Sequence, residues 1–389
     1  MSVPIGSAVR DPRLRAAGET DPIHASRYHG VAPVDGRGGM NISGPYEPVL
    51  GWPVPAHPGE WRTGSGRGVI ALSPDRVIAV YGGEVPEHGN PNVWGVDTFR
   101  DLRFTEVNAK RLPAHRHCHE IVVYDRAGRI VGSWDRWLDA LHEEDVRHGR
   151  TPKSGHVNRV RVDPNDPARH VWIVGLGNTG VFKFTSDGSE LVMKLDARNV
   201  PEEYHPFVYA QDVAFLPDGD IVVAHLHHLM RFTHDGRFVS AIGGQGRGPL
   251  EFDGIHDVQV HPRTHRLFVN DRVNQRIQIL EPDGTFVDEW GGFQGVYAIR
   301  FTADGRYLWA GNGFAHKFLK YDMEGRLVRA ATWGTFGIAP GALWGPHYFD
   351  TDRDGNLYVA EDYSGRVQKL RPMADAEADD PQLVGRLAP

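Results

Sequence analysis

Short strand-like segments separated by tight turns recur along most of the chain, and this repetition constrains the fold more than any other feature of the sequence. Segments such as DIVVAHL, RLFVNDR, RYLWAGN and NLYVAED are rich in the β-branched and aromatic residues that favour strands. Asp-Gly or similar pairs separate many of these segments. Such pairs join antiparallel strands because glycine adopts a positive φ without steric cost. The sequence therefore predicts an all-β protein built from antiparallel strand pairs.

Two kinds of turn alternate along the chain. One follows the pattern V-x-F-x-P-D-G and occurs at Pro74-Asp75, Pro164-Asn165, Pro217-Asp218, Pro262-Arg263, Asp304-Gly305 and Asp354-Gly355. The other follows F-D-x-x-G-x-x-V and occurs at Ala127-Gly128, Asp187-Gly188, Asp235-Gly236, Asp283-Gly284 and Glu324-Gly325. From its second instance the first turn recurs every 40–55 residues, roughly the length of a four-stranded propeller blade. We therefore predict a six-bladed β-propeller with four antiparallel strands per blade, in which neighbouring blades cover each other's faces.

The repeat also sets the predicted boundaries. We place the blades at 61–135, 156–196, 207–243, 254–291, 295–333 and 345–389. The first blade contains an insertion at 84–118, and residues 136–150 are predicted to form a short helix between blades. Residues 1–60 show no repeat and are predicted to wrap the propeller as an N-terminal extension. The outermost strand of the last blade is predicted to come either from Leu383–Leu387 or from the N-terminal segment.

Composition excludes several classes of partner. The net charge is −7 and no basic block is present, so the chain lacks the cationic stretch that tracks a nucleic-acid backbone. A single cysteine excludes a disulfide framework. The N-terminus has no apolar core of a signal peptide, and no apolar run is long enough to cross a membrane. We expect a cytoplasmic protein without a nucleic-acid or membrane partner, and its oligomeric state is left open.

Three histidines recur at the start of the innermost strand in alternate blades. His156, His256 and His347 are separated by 100 and 91 residues, two blade lengths each. The innermost strands line the central channel, so these side chains converge at one mouth. Three imidazoles with open positions beside them suit a divalent metal, with Zn²⁺ first, although other first-row metals also accept imidazole.

The strand pattern leaves the third metal ligand open. His256 and His347 each precede the first apolar residue of their strand by two positions. In blade two that position is Asn158, and His156 lies two residues further back, on the same face of the strand. Asn158 is therefore an alternative to His156. A structural hydrogen-bonding role is the alternative for any single histidine of the set.

Other polar residues are predicted to reach the same mouth. Gln211 and Tyr297 occupy the corresponding positions of two other blades, which makes them candidates for substrate contact together with Asn158. Arg272 follows the second strand of blade four and could clamp a carboxylate or an oxyanion, or pair with Asp271 on the surface.

Blade three carries a further histidine at this level. His225 stands where blade four has Asp271 and could be a fourth ligand, a general base or a histidine of the rim.

A separate tract, HRHCHE, contains His115, His117, Cys118, His119 and Glu120. It has the composition of a metal site, yet the sequence shows no partner cluster for it. A solvated loop that covers the mouth is the favoured interpretation.

Two stretches, FDGIHDVQV…LFVNDRVNQRIQIL and WGPHYFDTDRDGNLYVAEDYSGRVQKL, resemble the NHL-repeat propellers. Within that group the chain is similar, over roughly 61–371, to the peptidyl-α-hydroxyglycine α-amidating lyase family. The resemblance implies a zinc held at His156, His256 and His347 and an active-site arginine at Arg272.

The chain also departs from that family. Tyr81 stands where the family has a second active-site arginine, and His225–His228 stands where it has a catalytic tyrosine. Tyr348 stands where the family has an aspartate that helps to bind a structural calcium.

The sequence thus predicts a metal-dependent, lyase-like enzyme that acts on a small organic substrate at the axial mouth. In this prediction Arg272 orients an anionic group, and Tyr81 or His225 transfers a proton. A metal-dependent hydrolase or hydratase on the same site is one alternative. The other is a non-catalytic NHL-type module that binds a protein or peptide, which axial histidines without metal and an apolar rim would favour.

Overall fold

The computed structural model describes residues 43–57, 60–86, 118–143, 157–175, 180–205, 207 and 209–389. Antiparallel sheets of up to four strands make up nearly all of the regular structure, and they follow one another along the chain as blades around a central channel. The prediction of a six-bladed β-propeller is confirmed.

The strands of the first three blades run outward from the channel. Blade one contains β3 (Gly66–Ser73), β4 (Arg76–Tyr81), β6 (Ile121–Tyr124) and β7 (Ile130–Ser133). Blade two contains β8 (Val157–Val162), β9 (Val171–Gly175), β10 (Gly180–Phe184) and β11 (Leu191–Leu195). Blade three contains β12 (Ala210–Phe215), β13 (Ile221–His225), β14 (His228–Phe232) and β15 (Phe238–Gly243).

The remaining blades follow the same order. Blade four contains β16 (Ile255–Val260), β17 (Leu267–Asp271), β18 (Arg276–Leu280) and β19 (Phe286–Gly291). Blade five contains β20 (Val296–Phe301), β21 (Tyr307–Asn312) and β22 (Lys317–Asp322), and isolated bridges from Leu327 and Trp333 extend its outer edge. Blade six contains β23 (Pro346–Thr351), β24 (Leu357–Glu361) and β25 (Arg366–Pro372), and its outermost strand is β1 (Tyr46–Pro48).

The N-terminal segment closes the ring. β1 pairs antiparallel with β25, with Tyr46 opposite Pro372. Of the two predicted sources for this last strand, the N-terminal one is therefore found. The C-terminal segment binds elsewhere, since Leu387 bridges to Thr302 in blade five.

A few short elements lie outside the blades. β2 (Trp61–Thr63) pairs with β5 (Glu84–Pro86) beside blade one. One 3₁₀ turn (Asp135–Trp137) leads into α1 (Leu138–Leu141), which is the described part of the helix predicted at 136–150. Further 3₁₀ turns span Ala197–Asn199, Glu202–Tyr204 and Arg329–Ala331. Residues 1–42 and 87–117 lie outside the described residues, so the wrapping extension and most of the predicted insertion stay predictions.

Apolar side chains fill the spaces between blades. Valine, isoleucine and aromatic residues of the inner strands form clusters that each join neighbouring blades, and Trp172, Trp309 and Trp333 are almost completely buried within them. This packing holds the inner strands rigidly around the channel. No helix among the described residues has the length and apolar character needed to span a membrane.

A β-bulge opens the innermost strand of all six blades. In each strand the first and third residues pair with consecutive residues of the neighbouring strand, so the second residue has no partner. A bulge turns its extra side chain away from the regular ladder, and bulges are common beside active sites. The bulged residues, in blade order, are Arg67, Asn158, Gln211, His256, Tyr297 and His347.

Candidate functional site

Two histidines from alternate blades meet at the mouth of the channel. The ring centroids of His256 and His347 lie 5.0 Å apart in an edge-to-face arrangement. The ring of Tyr297 lies 5.1 Å from His256 and 5.2 Å from His347. All three side chains are at most 5% exposed. The bulged residues of blades four, five and six thus form one aromatic cluster, which we call the mouth cluster. It contains two of the three predicted metal ligands, His256 and His347.

Backbone carbonyls fix the orientation of both imidazoles. His256 Nδ1 donates to the carbonyl oxygen of Tyr297 at 2.7 Å, and His347 Nδ1 donates to that of Arg67 at 2.6 Å. A carbonyl oxygen only accepts, so Nδ1 carries the proton and Nε2 carries the lone pair. Metal-binding histidines are held in this way, with one ring nitrogen bonded to a carbonyl and the other turned to the ion.

Both imidazoles are neutral at neutral pH. Burial, reinforced by the nearby Arg272, lowers the pKa of His256 well below its usual range. Burial, together with Arg159 and Arg67, does the same to the pKa of His347. Only a neutral imidazole can bind a metal or accept a proton, so the two Nε2 atoms are available for either role.

Asn158 occupies the third equivalent position. It is the bulged residue of blade two, is 1% exposed, and its amide nitrogen donates to the carbonyl oxygen of Gln211 at 2.9 Å. Asn158, His256 and His347 therefore share one arrangement, in which an alternate blade donates to the bulged carbonyl of the next blade. His156, the other candidate for the third ligand, lies outside the described residues. The third ligand stays a prediction, and Asn158 is the candidate for it that lies within the described residues.

Arg272 reaches this cluster. Its guanidinium lies 5.2 Å from the ring centroid of Tyr297, and the side chain is half-buried. Asp271 is bonded instead to Arg276 at 2.9 Å and to Asn274 at 2.8 Å. The alternative in which Arg272 pairs with Asp271 is therefore wrong, and within the described part of the chain no carboxylate lies within ion-pair distance of Arg272.

Arg67 is a functional candidate that the repeat pattern of the sequence does not reveal by itself. It is the bulged residue of blade one and is 4% exposed. Its Nε and Nη2 have no hydrogen-bond partner in the described structure, and Asp362 Oδ1 lies 3.6 Å from Nε. When the innermost strands of all six blades are aligned, Arg67 takes the same position as His256. The alignment is hard to find from the sequence, because Arg67 lies in the glycine-rich stretch RTGSGRG, which lacks the apolar pattern of the other strands. A buried cation with open donors at the mouth is suited to bind an anion.

Tyr363 also joins the site. Its hydroxyl lies 2.6 Å from the hydroxyl of Tyr297. Burial raises the pKa of Tyr297 to about 12, and burial together with the neighbouring Tyr297 raises the pKa of Tyr363 above its usual range. Both hydroxyls therefore stay protonated at neutral pH, and the pair can donate a hydrogen bond or a proton.

The structure places Tyr81 away from the mouth cluster, contrary to its predicted catalytic role. Its side chain is fully buried in the core of blade one, where its hydroxyl lies 3.2 Å from that of Tyr124. Burial and the neighbouring Tyr124 raise the pKa of Tyr81 well above its usual range. A hydroxyl enclosed in this way contacts no substrate at the mouth.

His225 also has a position that does not favour proton transfer. It ends β13 and its ring stacks on Phe207 at 4.9 Å, while burial lowers its pKa to about 4. The equivalent residues Asp271 and Glu361 accept the backbone N–H groups of Asp253 and Trp344 and so fasten loops at this end of the blade. We therefore place His225 among the structural residues of the loop, and not in the mouth cluster.

A charged layer closes the channel below the site. Arg159 donates to the backbone carbonyls of His256 at 3.0 Å and His347 at 3.2 Å. Arg161 pairs with Asp212 and lies over the ring of Tyr348 at 4.8 Å. The ring of Tyr348 also lies against the guanidinium of Arg159 at 4.6 Å, and its hydroxyl accepts from Arg300 at 2.8 Å. This layer supports the two histidines from beneath.

Apolar side chains surround the mouth. Five large hydrophobic residues are more than 40% exposed in loops at this end of the propeller: Tyr209, Val273, Phe314, Phe336 and Ile338. Tyr209 precedes an innermost strand, Val273 and Phe314 follow second strands, and Phe336 and Ile338 lie in the connection from blade five to blade six. Within the described residues, these side chains give the entrance beside blades three to six an apolar character, whereas the mouth cluster itself contains histidines and has arginines beside it.

Comparisons with known proteins support the fold. No protein-family model and no curated protein matches the chain. A streptogramin B lyase structure aligns with a TM-score of 0.51 and 12% identity over 84% of this chain and 96% of that one. A protein of unknown function from Bacteroides thetaiotaomicron VPI-5482 aligns with a TM-score of 0.49 and 12% identity over 80% of this chain and 70% of that one. A virginiamycin B lyase from Staphylococcus aureus, with quinupristin, aligns with a TM-score of 0.45 and 11% identity over 85% and 88%.

Proposed function

We propose that the mouth cluster is the active site of a metal-dependent, lyase-like enzyme that cleaves a C–O or C–N bond in a small anionic organic substrate. The observation that carries this proposal is the arrangement of His256 and His347. Both imidazoles are neutral, both Nδ1 atoms are bonded to backbone carbonyls, and the rings lie 5.0 Å apart.

The donor set suits a divalent cation. Nε2 of His256 and Nε2 of His347 would hold the ion, with the amide oxygen of Asn158 as a third donor. Two imidazoles favour zinc, and an amide oxygen in place of a third imidazole also admits harder first-row metals. Bound there, the ion supplies a Lewis acid that polarises a substrate oxygen or lowers the pKa of a water molecule.

The arginines define the class of substrate. Burial lowers the pKa of His347, and the positive charges of Arg67 and Arg272 both lower it further, which places them near its ring. Arg67 approaches a carboxylate, that of Asp362, only to 3.6 Å, and its Nε and Nη2 donate no hydrogen bond within the described structure. Guanidinium groups recognise carboxylates and other oxyanions by directed, charge-assisted hydrogen bonds. They would bind and orient the anionic group of the substrate and keep its reacting bond beside the imidazoles.

The tyrosine pair supplies a proton donor. Both hydroxyls stay protonated at neutral pH and they share a hydrogen bond of 2.6 Å. As the bond breaks, the substrate loses a proton to form the new double bond, and the hydrogen-bonded hydroxyls of Tyr297 and Tyr363 would pass that proton to the leaving oxygen or nitrogen. This is a different assignment of the proton-transfer group from the Tyr81 or His225 that the sequence favours.

The resemblance to the α-amidating lyases supports His256, His347 and Arg272 and does not extend to peptide amidation. We infer that Asn158 takes the place of the third imidazole, and Tyr81 is buried in the blade core. A streptogramin B lyase shares the fold, which indicates only that a propeller can carry lyase chemistry. A hydrolase or hydratase would use the same metal and arginines.

The proposal is tested by measuring the metal content of the protein after metal-replete expression. We expect His256→Ala and His347→Ala each to lose about one equivalent of transition metal relative to wild type, because each removes an imidazole that the other cannot replace. His261→Gln is the matched control. His261 is also a buried histidine of blade four, but its Nδ1 and Nε2 are bonded to Thr264 and Gly305. Wild-type metal content in both alanine variants would overturn the ligand assignment.

A non-catalytic, peptide-binding propeller is the second candidate, and the apolar rim favours it. Exposed Phe314, Phe336 and Ile338 could pack against an apolar peptide or protein. The two candidates differ in what lies beneath the rim. A wild type that holds no more transition metal after metal-replete expression than the double variant His256→Ala/His347→Ala would favour the binding module.

A further inference from the structure

A second cluster of metal-ligating side chains lies on the mouth side of blade one, apart from the axial site. His57, Glu84 and His119 each offer a ligand atom, and these atoms all lie within 4.8 Å of one another. His119 Nδ1 lies 2.8 Å from Glu84 Oε1, and His57 Nε2 lies 3.8 Å from the same oxygen. The two imidazole centroids are 5.7 Å apart. Two imidazoles thus converge on one carboxylate.

A thiol stands beside the other oxygen of that carboxylate. Cys118 Sγ donates to Glu84 Oε2 at 3.2 Å. The thiol is not one of the three ligand atoms that lie within 4.8 Å of one another, so a metal held by the two imidazoles and the carboxylate would recruit Cys118 by rotation of its side chain. That rotation would complete a four-ligand set of the kind that closes structural zinc sites. When the thiol binds the metal it would release its proton to solvent, and the carboxylate and thiolate would then balance the two charges of the ion, so that the occupied site would be neutral at a partly buried position.

The backbone places each ligand. Glu84 begins β5, where it pairs with Thr63 of β2, and its side chain is only 3% exposed. His119 has a positive φ of 53°, and its N–H donates to Asp135 Oδ1 at 2.7 Å. A non-glycine residue rarely adopts this conformation unless its surroundings enforce it, and such residues concentrate at functional sites. Here the conformation brings the imidazole of His119 against Glu84.

We propose that His57, Glu84, His119 and Cys118 form a structural metal site of the zinc type. The site would tie the segment that precedes blade one to β5 and to the residues before β6. It uses none of the axial residues, so it stands or falls independently of the proposed function. The sequence favours a solvated loop for the HRHCHE tract, because its partners His57 and Glu84 are remote along the chain.

Cobalt binding gives a test that reports on this site alone. The chain has one cysteine, so a thiolate-to-cobalt charge-transfer band can arise only at Cys118. We expect the full chain, stripped of metal with a chelator, to develop this band on titration with Co²⁺ and to lose it when Zn²⁺ is added. The band should be absent in Cys118→Ser and should remain in the double variant His256→Ala/His347→Ala.

Two further variants test the imidazoles. His57→Ala and His119→Ala should weaken Co²⁺ binding by roughly tenfold or more, because each removes a ligand. Their side chains are 42% and 21% exposed, so we expect these variants to fold, which circular dichroism checks. In addition, Zn²⁺ should raise the melting temperature of the wild type more than that of His57→Ala.

Absence of the thiolate band in the wild type would overturn the proposal. So would an unchanged Co²⁺ affinity in both His57→Ala and His119→Ala. If the axial variants lose metal but keep the thiolate band, the axial site is supported and this second site stands. If the wild type binds metal at the axial site but shows no thiolate band, this second site is refuted and the axial site stands.

Discussion

At the scale of single residues, Arg67 has a position that stability alone does not explain. Burial removes water from its guanidinium, and Nε and Nη2 form no hydrogen bond within the described structure that would offset the cost of this desolvation. Arg161, by contrast, is also buried and forms close ion pairs with Asp212 and Asp257. This difference agrees with the proposal that Arg67 binds the anionic group of a substrate, whereas the contacts of Arg161 are structural.

This difference predicts opposite responses to the same substitution. Arg67→Met should leave the free energy of unfolding unchanged or raise it by up to about 2 kcal/mol, because an incompletely paired buried charge is removed. Arg161→Met should lower it by about 3–5 kcal/mol, because Asp212 and Asp257 lose a close cationic partner. Both values can be measured by chemical denaturation. An Arg67→Met variant as unstable as Arg161→Met would show that Arg67 is a structural residue.

Residue identities at the site were predictable where one strand pattern repeats. His256 and His347 follow from that pattern, and it also offers Asn158 as an alternative to His156. Tyr81 and His225 were misplaced because sequence position gives the end of a strand but not the direction of its side chain. In the structure these side chains contact Tyr124 and Phe207.

At the scale of elements, the bulge that opens each innermost strand determines which residue meets the axis. It adds one unpaired residue to β3, β8, β12, β16, β20 and β23. The sequence predicts these strands from their alternation and from the turns that follow. It does not predict the bulge, because a bulge depends on hydrogen bonds to the neighbouring strand. Arg67 was missed for this reason.

The pairing of β1 with β25 is the second structural feature at this scale, because it closes the ring whose mouth holds the proposed site. Tyr46 is fully buried against Trp333, and its hydroxyl accepts the N–H of Val384, whereas its neighbour Glu47 lies at the surface beside Arg371. The two adjacent residues thus face opposite sides of the blade. The sequence could not choose between the two candidate strands, since the choice depends on which segment reaches blade six.

Closure of the ring by β1 can be tested at these two positions. Tyr46→Ala should lower the free energy of unfolding by about 3–5 kcal/mol, because it opens a cavity in the core and removes a hydrogen bond. Glu47→Ala is the control and should change it by less than about 0.5 kcal/mol, because its ion pair is exposed. Equal effects of the two substitutions, measured by urea denaturation, would argue against closure through this strand.

At the scale of the whole molecule, the ring converts a linear repeat into a convergent site. Residues 91 positions apart in the sequence, His256 and His347, are brought within 5.0 Å because alternate blades face each other across the channel. The charged layer around Arg159 fixes the depth of the site by bonding both of their backbones. Fold and axial convergence were therefore predictable from the repeat, whereas contacts that cross between loops, such as His57 with Glu84, were not.

The central claim is that His256 and His347 bind one divalent metal ion at the mouth. Crystals of the zinc-replete protein, measured on both sides of the zinc absorption edge, test it directly. We expect an anomalous peak bonded to Nε2 of both histidines, about 2.0–2.1 Å from each nitrogen. Zinc-replete crystals with no anomalous peak between these two imidazoles would contradict it.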